Sequence, residues 1–173
     1  ILVGDAIVGN KEDEVYDLGM FSVWAVDGLI TIDGPEHIKK YMESAGSSPL
    51  PMLSMGSFPC RLTDYVFVSL IKACDQTLQH LYDQGCRDIV FVVSQWGFQD
   101  EGERGEAYHN FCDRAGLQEK RIIVDPVYQT EDSRKKVKEY IALNGIPDAF
   151  YCFSNEIAIG AYKGTRDIGL AIP

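Results

Sequence analysis

The most constraining feature of the chain is a run of five apolar residues, Ile89-Val90-Phe91-Val92-Val93, in which four side chains are β-branched. A strand with one face in water alternates apolar and polar residues, whereas an unbroken β-branched run is typical of a strand covered on both faces. Such strands occur in parallel sheets that have helices on both sides. The run therefore favours an α/β fold.

Predicted strands and helices alternate along the rest of the sequence. Helix ends are marked by Gly85, Gly116 and Gly169, and Thr130 and Ser154 are predicted helix N-caps. The predicted strands are residues 1–3, 29–32, 50–55, 65–69, 89–93, 122–124 and 149–152. Helices are predicted at residues 10–25, 36–45 and 70–82, around an apolar face at 107–115, after the cap at 130, and at 154–168. This alternation predicts a doubly wound α/β fold with one or two parallel sheets.

Composition and charge exclude several classes of protein. No apolar run reaches the roughly 18 to 20 residues that a membrane span needs. The net charge of −10 disfavours nucleic-acid binding by these residues themselves. The cysteines, at positions 60, 74, 86, 112 and 152, show no C-x-x-C spacing and are interpreted as small buried hydrophobes in a reducing cytoplasm. Zinc binding and a catalytic thiol are the open alternatives for them.

Signatures of cofactors and catalysis are missing from the sequence. There is no G-x-x-x-x-G-K-[ST], no G-x-G-x-x-G after a strand and no G-x-S-x-G. The histidines His37, His80 and His109 lie on three different predicted helices without ligand spacing. We therefore predict no cofactor, no metal and no enzymatic activity.

Parallel sheets bind ligands beyond the carboxyl ends of their strands, which selects the loops at 5–10, 55–58, 94–104 and 153–155. Arg104 is the strongest candidate, because a cation at a helix start is disfavoured by the helix dipole unless its guanidinium has another task. The alternative is a surface ion pair with Glu101 or Glu103.

Further candidates are polar or aromatic residues in the same loops. Ser154 and Asn155 open a helix, where free amides suit a hydroxyl or an anion, although Ser154 can also act only as a cap. Met55, Phe58 and Trp96 are apolar candidates, for which ordinary loop packing is an equally good account.

Five segments carry a family pattern in the right order. They are V-D-G-L-I at 26–30, L-Q-H-L-Y-D-Q-G-C-R-D-I at 78–89, Arg104 with Ala107-Tyr108, P-D-A-F-Y-C-F-S-N-E-I-A-I-G-A at 147–161, and G-L-A-I-P at 169–173. Together they resemble the lactose/galactose-repressor (LacI/GalR) family of bacterial transcription regulators, and the resemblance extends over most of the chain.

The resemblance implies a periplasmic-binding-protein-like fold of two lobes, each a mostly parallel sheet flanked by helices. The lobes would be residues 1–69, without the family's first strand and helix, and 70–173, without its last strands. A small polar effector, a sugar or a nucleoside-like molecule, would bind between them. Arg104 matches the family's effector-binding arginine. Ser154 and Asn155 stand where the family often has Asn and Asp, and Gly56 stands where some sugar-sensing members have Asp.

The same resemblance implies partners for the chain. We expect a cytoplasmic homodimer that does not bind membranes and that contacts operator DNA only through a helix-turn-helix domain absent from these residues. The alternative is a solute-binding protein of a sugar transporter, which shares the fold.

Overall fold

The chain divides into two compact units, one ending at Ser69 and the other beginning at Leu70. The computed structural model describes residues 26–32, 35–44, 50–56, 62–95 and 102–172. The predicted strand at 1–3 and helix at 10–25, with Phe58 and Trp96, lie outside the described residues.

The first unit is built around a three-stranded parallel sheet. Its elements are β1 (Leu29–Ile32), α1 (Pro35–Ser44), β2 (Met52–Gly56) and β3 (Asp64–Phe67), with the strand order β1-β2-β3. Two residues of the helix, Ile38 and Tyr41, are almost completely buried. The Tyr41 hydroxyl accepts a hydrogen bond from the backbone N–H of Leu50 at 3.0 Å, just before β2.

One face of this sheet is apolar and exposed in the part of the unit that the structure describes. Ile32, Met55 and Val66 are aligned across the three strands, so their side chains share one face, together with Ile30. Their exposed fractions are 82% for Ile32, 41% for Met55, 54% for Val66 and 70% for Ile30. Parallel sheets normally have both faces covered. Within the described residues, nothing covers this face.

The second unit carries the buried apolar run identified in the sequence. Its elements are α2 (Ile71–Asp83), β4 (Ile89–Ser94), α3 (Gly102–Ala115), β5 (Lys120–Val124), α4 (Gln129–Asn144), β6 (Ala149–Cys152) and α5 (Asn155–Asp167). The strands are parallel in the order β5-β4-β6, which places the apolar strand at the centre. Every residue of β4 is buried.

Two apolar layers enclose β4. On one side Phe91 packs with Tyr108 of α3 and Leu78 of α2. On the other side Val92 packs with Val137 of α4, in a cluster that also includes α5. The prediction of a strand covered on both faces is confirmed, and the helix pairs α2–α3 and α4–α5 are what cover it.

The helices α4 and α5 approach each other closely through two glycines of α5. A Cβ on Gly160 would overlap the Ser133 hydroxyl and the Thr130 carbonyl of α4, and a Cβ on Gly164 would overlap the Arg134 carbonyl. The hydroxyl of Ser133, which is fully buried, donates a hydrogen bond to the Ile157 carbonyl at 3.1 Å. The glycines are therefore required by the distance between the helix backbones.

Some element ends differ from the sequence predictions. β5 begins two residues earlier than predicted, because Lys120 and Arg121 pair with β4 through their backbones while their charged ends stay near solvent. β3 spans Asp64–Phe67, so the predicted strand end at Ser69 is wrong. Among the described residues, no helix is long and apolar enough to span a membrane.

The prediction that Thr130 caps α4 is wrong. The helix begins at Gln129, and the Thr130 hydroxyl donates to the Glu156 carbonyl at 3.1 Å instead. The turn before α4 is held by Asp125, whose carboxylate accepts hydrogen bonds from the backbone N–H groups of Val127 and Tyr128. Asp125, four residues ahead of Gln129, thus holds the turn that leads into the helix, and the N-cap position, Tyr128, makes no side-chain cap hydrogen bond.

Candidate functional site

The carboxyl edge of the second unit's sheet is the candidate site. Because β4, β5 and β6 are parallel, all three strands end at this edge, and α3, α4 and α5 begin there. Helix N-termini present free backbone N–H groups, which favour anionic and hydroxyl ligands.

Arg104 lies in the first turn of α3 at this edge. Its guanidinium carbon is 4.9 Å from the centroid of the Phe153 ring, which follows β6. Among the described residues Arg104 forms no ion pair, and the neighbouring Glu103 carboxylate accepts a hydrogen bond from the backbone N–H of Leu70. Glu101, the other proposed partner, lies outside the described residues. The side chain is half-buried against an aromatic ring, and within the described residues its guanidinium has no hydrogen-bond partner, which suits the binding of a ligand.

A buried hydroxyl belongs to β6, the strand that leads to Phe153. Tyr151 of β6 is 8% exposed, and within the described residues its hydroxyl makes no hydrogen bond of good geometry. Burial, followed by the neighbouring Cys74 thiol, raises the pKa of Tyr151, and the charge of Arg104 opposes this rise. The phenol therefore stays neutral at physiological pH, and its ring belongs to the apolar cluster that β6 shares with α2 and α3.

Ser154 connects the end of β6 to the starts of two helices. Its hydroxyl accepts a hydrogen bond from the backbone N–H of Ile157 at 3.4 Å, which confirms the predicted cap of α5. The same hydroxyl donates to Oε1 of Gln129, the first residue of α4, at 2.9 Å. The Gln129 amide nitrogen in turn donates to the Pro126 carbonyl at 3.0 Å. With its donor already used, Ser154 is better suited to hold this edge together than to grip a ligand by itself.

The structure places the other predicted site residues in different surroundings. Asn155, the first residue of α5, is exposed at the same edge as Arg104 and Ser154. Met55 and Gly56 end β2 in the first unit, where Met55 also belongs to the open apolar face. Phe58 and Trp96 are not described.

The loop after β5 contributes two residues that the sequence analysis missed. Gln129 is tied to Ser154, and Tyr128 is 70% exposed directly before α4. The signal was present, since this loop follows a strand of the same parallel sheet, but the loops selected from the sequence did not include it.

The cysteines offer no paired site in the described part of the chain. Cys74, Cys86, Cys112 and Cys152 are all free thiols, and burial raises the pKa of Cys152 to about 12. A protonated thiol of this kind is a poor nucleophile and a poor metal ligand. Cys112, which is buried, and Cys152 therefore fit the predicted structural role, whereas Cys74 and Cys86 are partly exposed.

Parallel sheets flanked by helices, with polar side chains and helix N-termini at the carboxyl edge, define an α/β protein of the ligand-binding class. Comparison with known families identifies the family to which the chain belongs. The periplasmic binding protein-like domain matches residues 78–173, and the chain belongs to this family.

Its relatives are bacterial transcription regulators. The transcriptional regulator GalR of Streptococcus thermophilus is 24% identical over 177 residues, which cover 99% of this chain and 47% of that protein. The repressor PurR of Erwinia tasmaniensis is 22% identical over 176 residues, which cover 100% of this chain and 51% of that protein. The chain thus spans about half the length of the curated relatives it matches.

A solved structure gives the same fold. The LacI family transcriptional regulator from Enterococcus faecium, crystallised with bound ribose, has a TM-score of 0.72 at 17% identity, covering 90% of this chain and 58% of that one. The predicted fold class and the resemblance to the effector-binding core of LacI/GalR regulators are confirmed. The relatives named here are regulators, which disfavours the transporter alternative.

Proposed function

We propose that this chain is the effector-binding core of a transcription regulator and that Arg104 holds a small polar ligand at the carboxyl edge of the second unit. One observation carries the proposal: the guanidinium of Arg104 lies over the ring of Phe153 and, within the described residues, forms no ion pair. A planar fork of donors supported by an aromatic ring suits the binding of two hydroxyls or a carboxylate.

We take the ligand to be a sugar or a nucleoside-like molecule. Asn155, Tyr128 and the helix N-termini supply hydroxyl-binding and stacking groups at the same edge of the sheet as Arg104, and the Enterococcus faecium relative is a ribose complex. The family resemblance extends the proposal to Met55 and Gly56 as contacts from the first unit. A ligand that binds one conformation more tightly shifts the population toward it, and that difference in affinity is what can alter DNA binding by a helix-turn-helix domain outside these residues.

The experiment is a calorimetric titration of the intact protein with ribose and other sugars and nucleosides chosen by a thermal-shift screen. Arg104→Ala is expected to abolish the binding heat of any ligand found, while the far-ultraviolet circular dichroism stays unchanged. Arg104→Lys, which keeps the charge and loses the fork, should recover little affinity.

The matched control is Arg114→Ala in the same helix, since Arg114 pairs with Asp75 at 2.8 Å near the other helix end. This variant should bind as the parent does. Equal ligand affinity of the parent protein and Arg104→Ala would rule the assignment out.

We also propose that the protein is a homodimer in the cytoplasm. Ile159 and Tyr162 lie one turn apart on α5 and are each 51% exposed, which gives this helix an apolar outer patch suited to a second copy. Ile159→Glu is expected to shift the mass measured by light scattering toward the monomer. An unchanged dimer would exclude this patch as the interface.

A further inference from the structure

His109, Asp113 and Glu119 form a cluster that the effector site does not use. His109 and Asp113 are one turn apart on α3, and Glu119 lies in the segment between α3 and β5. One ligand atom from each of the three residues lies within 4.8 Å of the other two. The cluster is on the surface, with exposed side-chain fractions of 55% for His109, 72% for Asp113 and 31% for Glu119.

The two nitrogens of the His109 ring have different relations to the two carboxylates. Nδ1 is 2.6 Å from Oε1 of Glu119, which is a hydrogen bond, whereas Nε2 is 3.5 Å from Oδ2 of Asp113. The second distance exceeds the roughly 2.7 to 3.2 Å of an N–H···O hydrogen bond. In the neutral ring with its proton on Nδ1, this N–H donates a hydrogen bond to the Glu119 carboxylate, and the lone pair is left on Nε2, facing Asp113.

We propose that Nε2 of His109 and the Asp113 carboxylate bind a divalent transition-metal ion such as Zn²⁺, with Glu119 as the positioning carboxylate. Two ligands at about 2.1 Å from a tetrahedral zinc ion lie about 3.4 Å apart, which agrees with the separation of Nε2 and Oδ2. A carboxylate on the second ring nitrogen of a metal-bound histidine orients the ring and raises its basicity. Water completes the coordination.

The charges around the ring decide how metal and proton compete. Glu119 and Asp113 raise the pKa of His109, and Arg121 opposes this rise while donating to the Glu119 carboxylate at 2.8 Å. A zinc ion needs the neutral ring, so its binding releases the proton from Nε2 wherever the ring is protonated.

The test is a titration of the intact protein with zinc chloride at pH 7.5, followed by calorimetry and by the ring resonances of His109 in NMR. The parent protein should show a binding event that broadens or shifts the His109 resonances, and His109→Ala and Asp113→Asn should remove that event. His80→Ala is the matched control, because His80 is also exposed on a helix but has Gln84, and no carboxylate, at the i+4 position. Binding that survives in His109→Ala, or no perturbation of His109 in the parent, would overturn the proposal.

The role of Glu119 is tested separately. Loss of an outer-shell carboxylate typically weakens metal binding by about 10- to 100-fold, and Glu119→Gln should fall in this range. The ring ¹⁵N shifts of His109 should show a proton on Nδ1 in the parent at high pH and a mixture of tautomers in Glu119→Gln. Unchanged affinity together with unchanged tautomer would show that Glu119 does not position the ring.

Discussion

Gly160 in α5 lies directly against Ser133 in α4, with no room for a Cβ between them. The Ser133 hydroxyl uses this closeness to donate to the Ile157 carbonyl one turn earlier in α5. The contact therefore fixes the distance between the two helices and gives the buried Ser133 hydroxyl a hydrogen-bond acceptor.

Gly160→Ala is expected to destabilise the protein, because the added methyl group overlaps the Thr130 backbone as well as the Ser133 side chain. Overpacking of this kind costs about 1 to 3 kcal/mol in the free energy of unfolding, measurable by urea denaturation. Lys163→Ala, at an exposed position of the same helix, should change stability by less than about 0.5 kcal/mol. Equal stability of the two variants would mean that the helices can move apart at no cost.

Ser154→Ala removes both the α5 cap and the hydrogen bond to Gln129. The loss of an N-cap costs about 1 kcal/mol in the free energy of unfolding. Ser154→Asp keeps a cap acceptor and should recover most of that stability, although it cannot donate to Gln129. If Ser154→Ala were as stable as the parent, the cap would make no measurable contribution.

Asp148 is expected to make the free energy of unfolding of the second unit fall at acid pH. Its carboxylate accepts hydrogen bonds from the backbone N–H groups of Arg87 at 2.8 Å and Asp88 at 2.9 Å, and these two bonds lower the pKa of Asp148. Since the folded-state pKa lies below the value of about 3.9 in the unfolded chain, this stabilisation is complete above that value. It is lost as the pH falls through the folded-state pKa.

Urea denaturation between pH 7 and pH 2.5 measures this effect. Asp148→Asn should lower the free energy of unfolding by about 1 kcal/mol at pH 7, allowing for the exposure of the carboxylate, and should reduce the acid-dependent loss. The control is Asp83→Asn, at an exposed side chain that accepts a hydrogen bond only from Gln79 within the described residues. The same acid profile in Asp148→Asn and the parent would contradict the assignment.

The sequence predicted those parts of the fold that follow from apolar periodicity. The run from Ile89 to Val93 was enough to predict a strand buried on both faces, and the Ser154 cap followed from its side-chain chemistry. The start of β5 could not be read from the sequence, because Lys120 and Arg121 join the sheet through backbone atoms that every residue type has. Thr130 was assigned as a cap from residue type alone, while Asp125 holds the turn.

The candidate site was predicted in outline. Arg104 was selected because a cation at a helix start needs an explanation, and its neighbour Phe153 follows from the meeting of strand ends at one edge. The Tyr151 hydroxyl could not be found in this way, since an apolar strand pattern does not distinguish a satisfied phenol from an unsatisfied one. The partnership of Gln129 with Ser154 depends on side-chain conformations that no local pattern specifies.

The hydrogen bond from the Leu70 backbone to Glu103 joins the first residue of the second unit to the residue next to Arg104. The first turn of α3, which carries Arg104, is therefore anchored by its neighbour Glu103 to the peptide that opens the second unit.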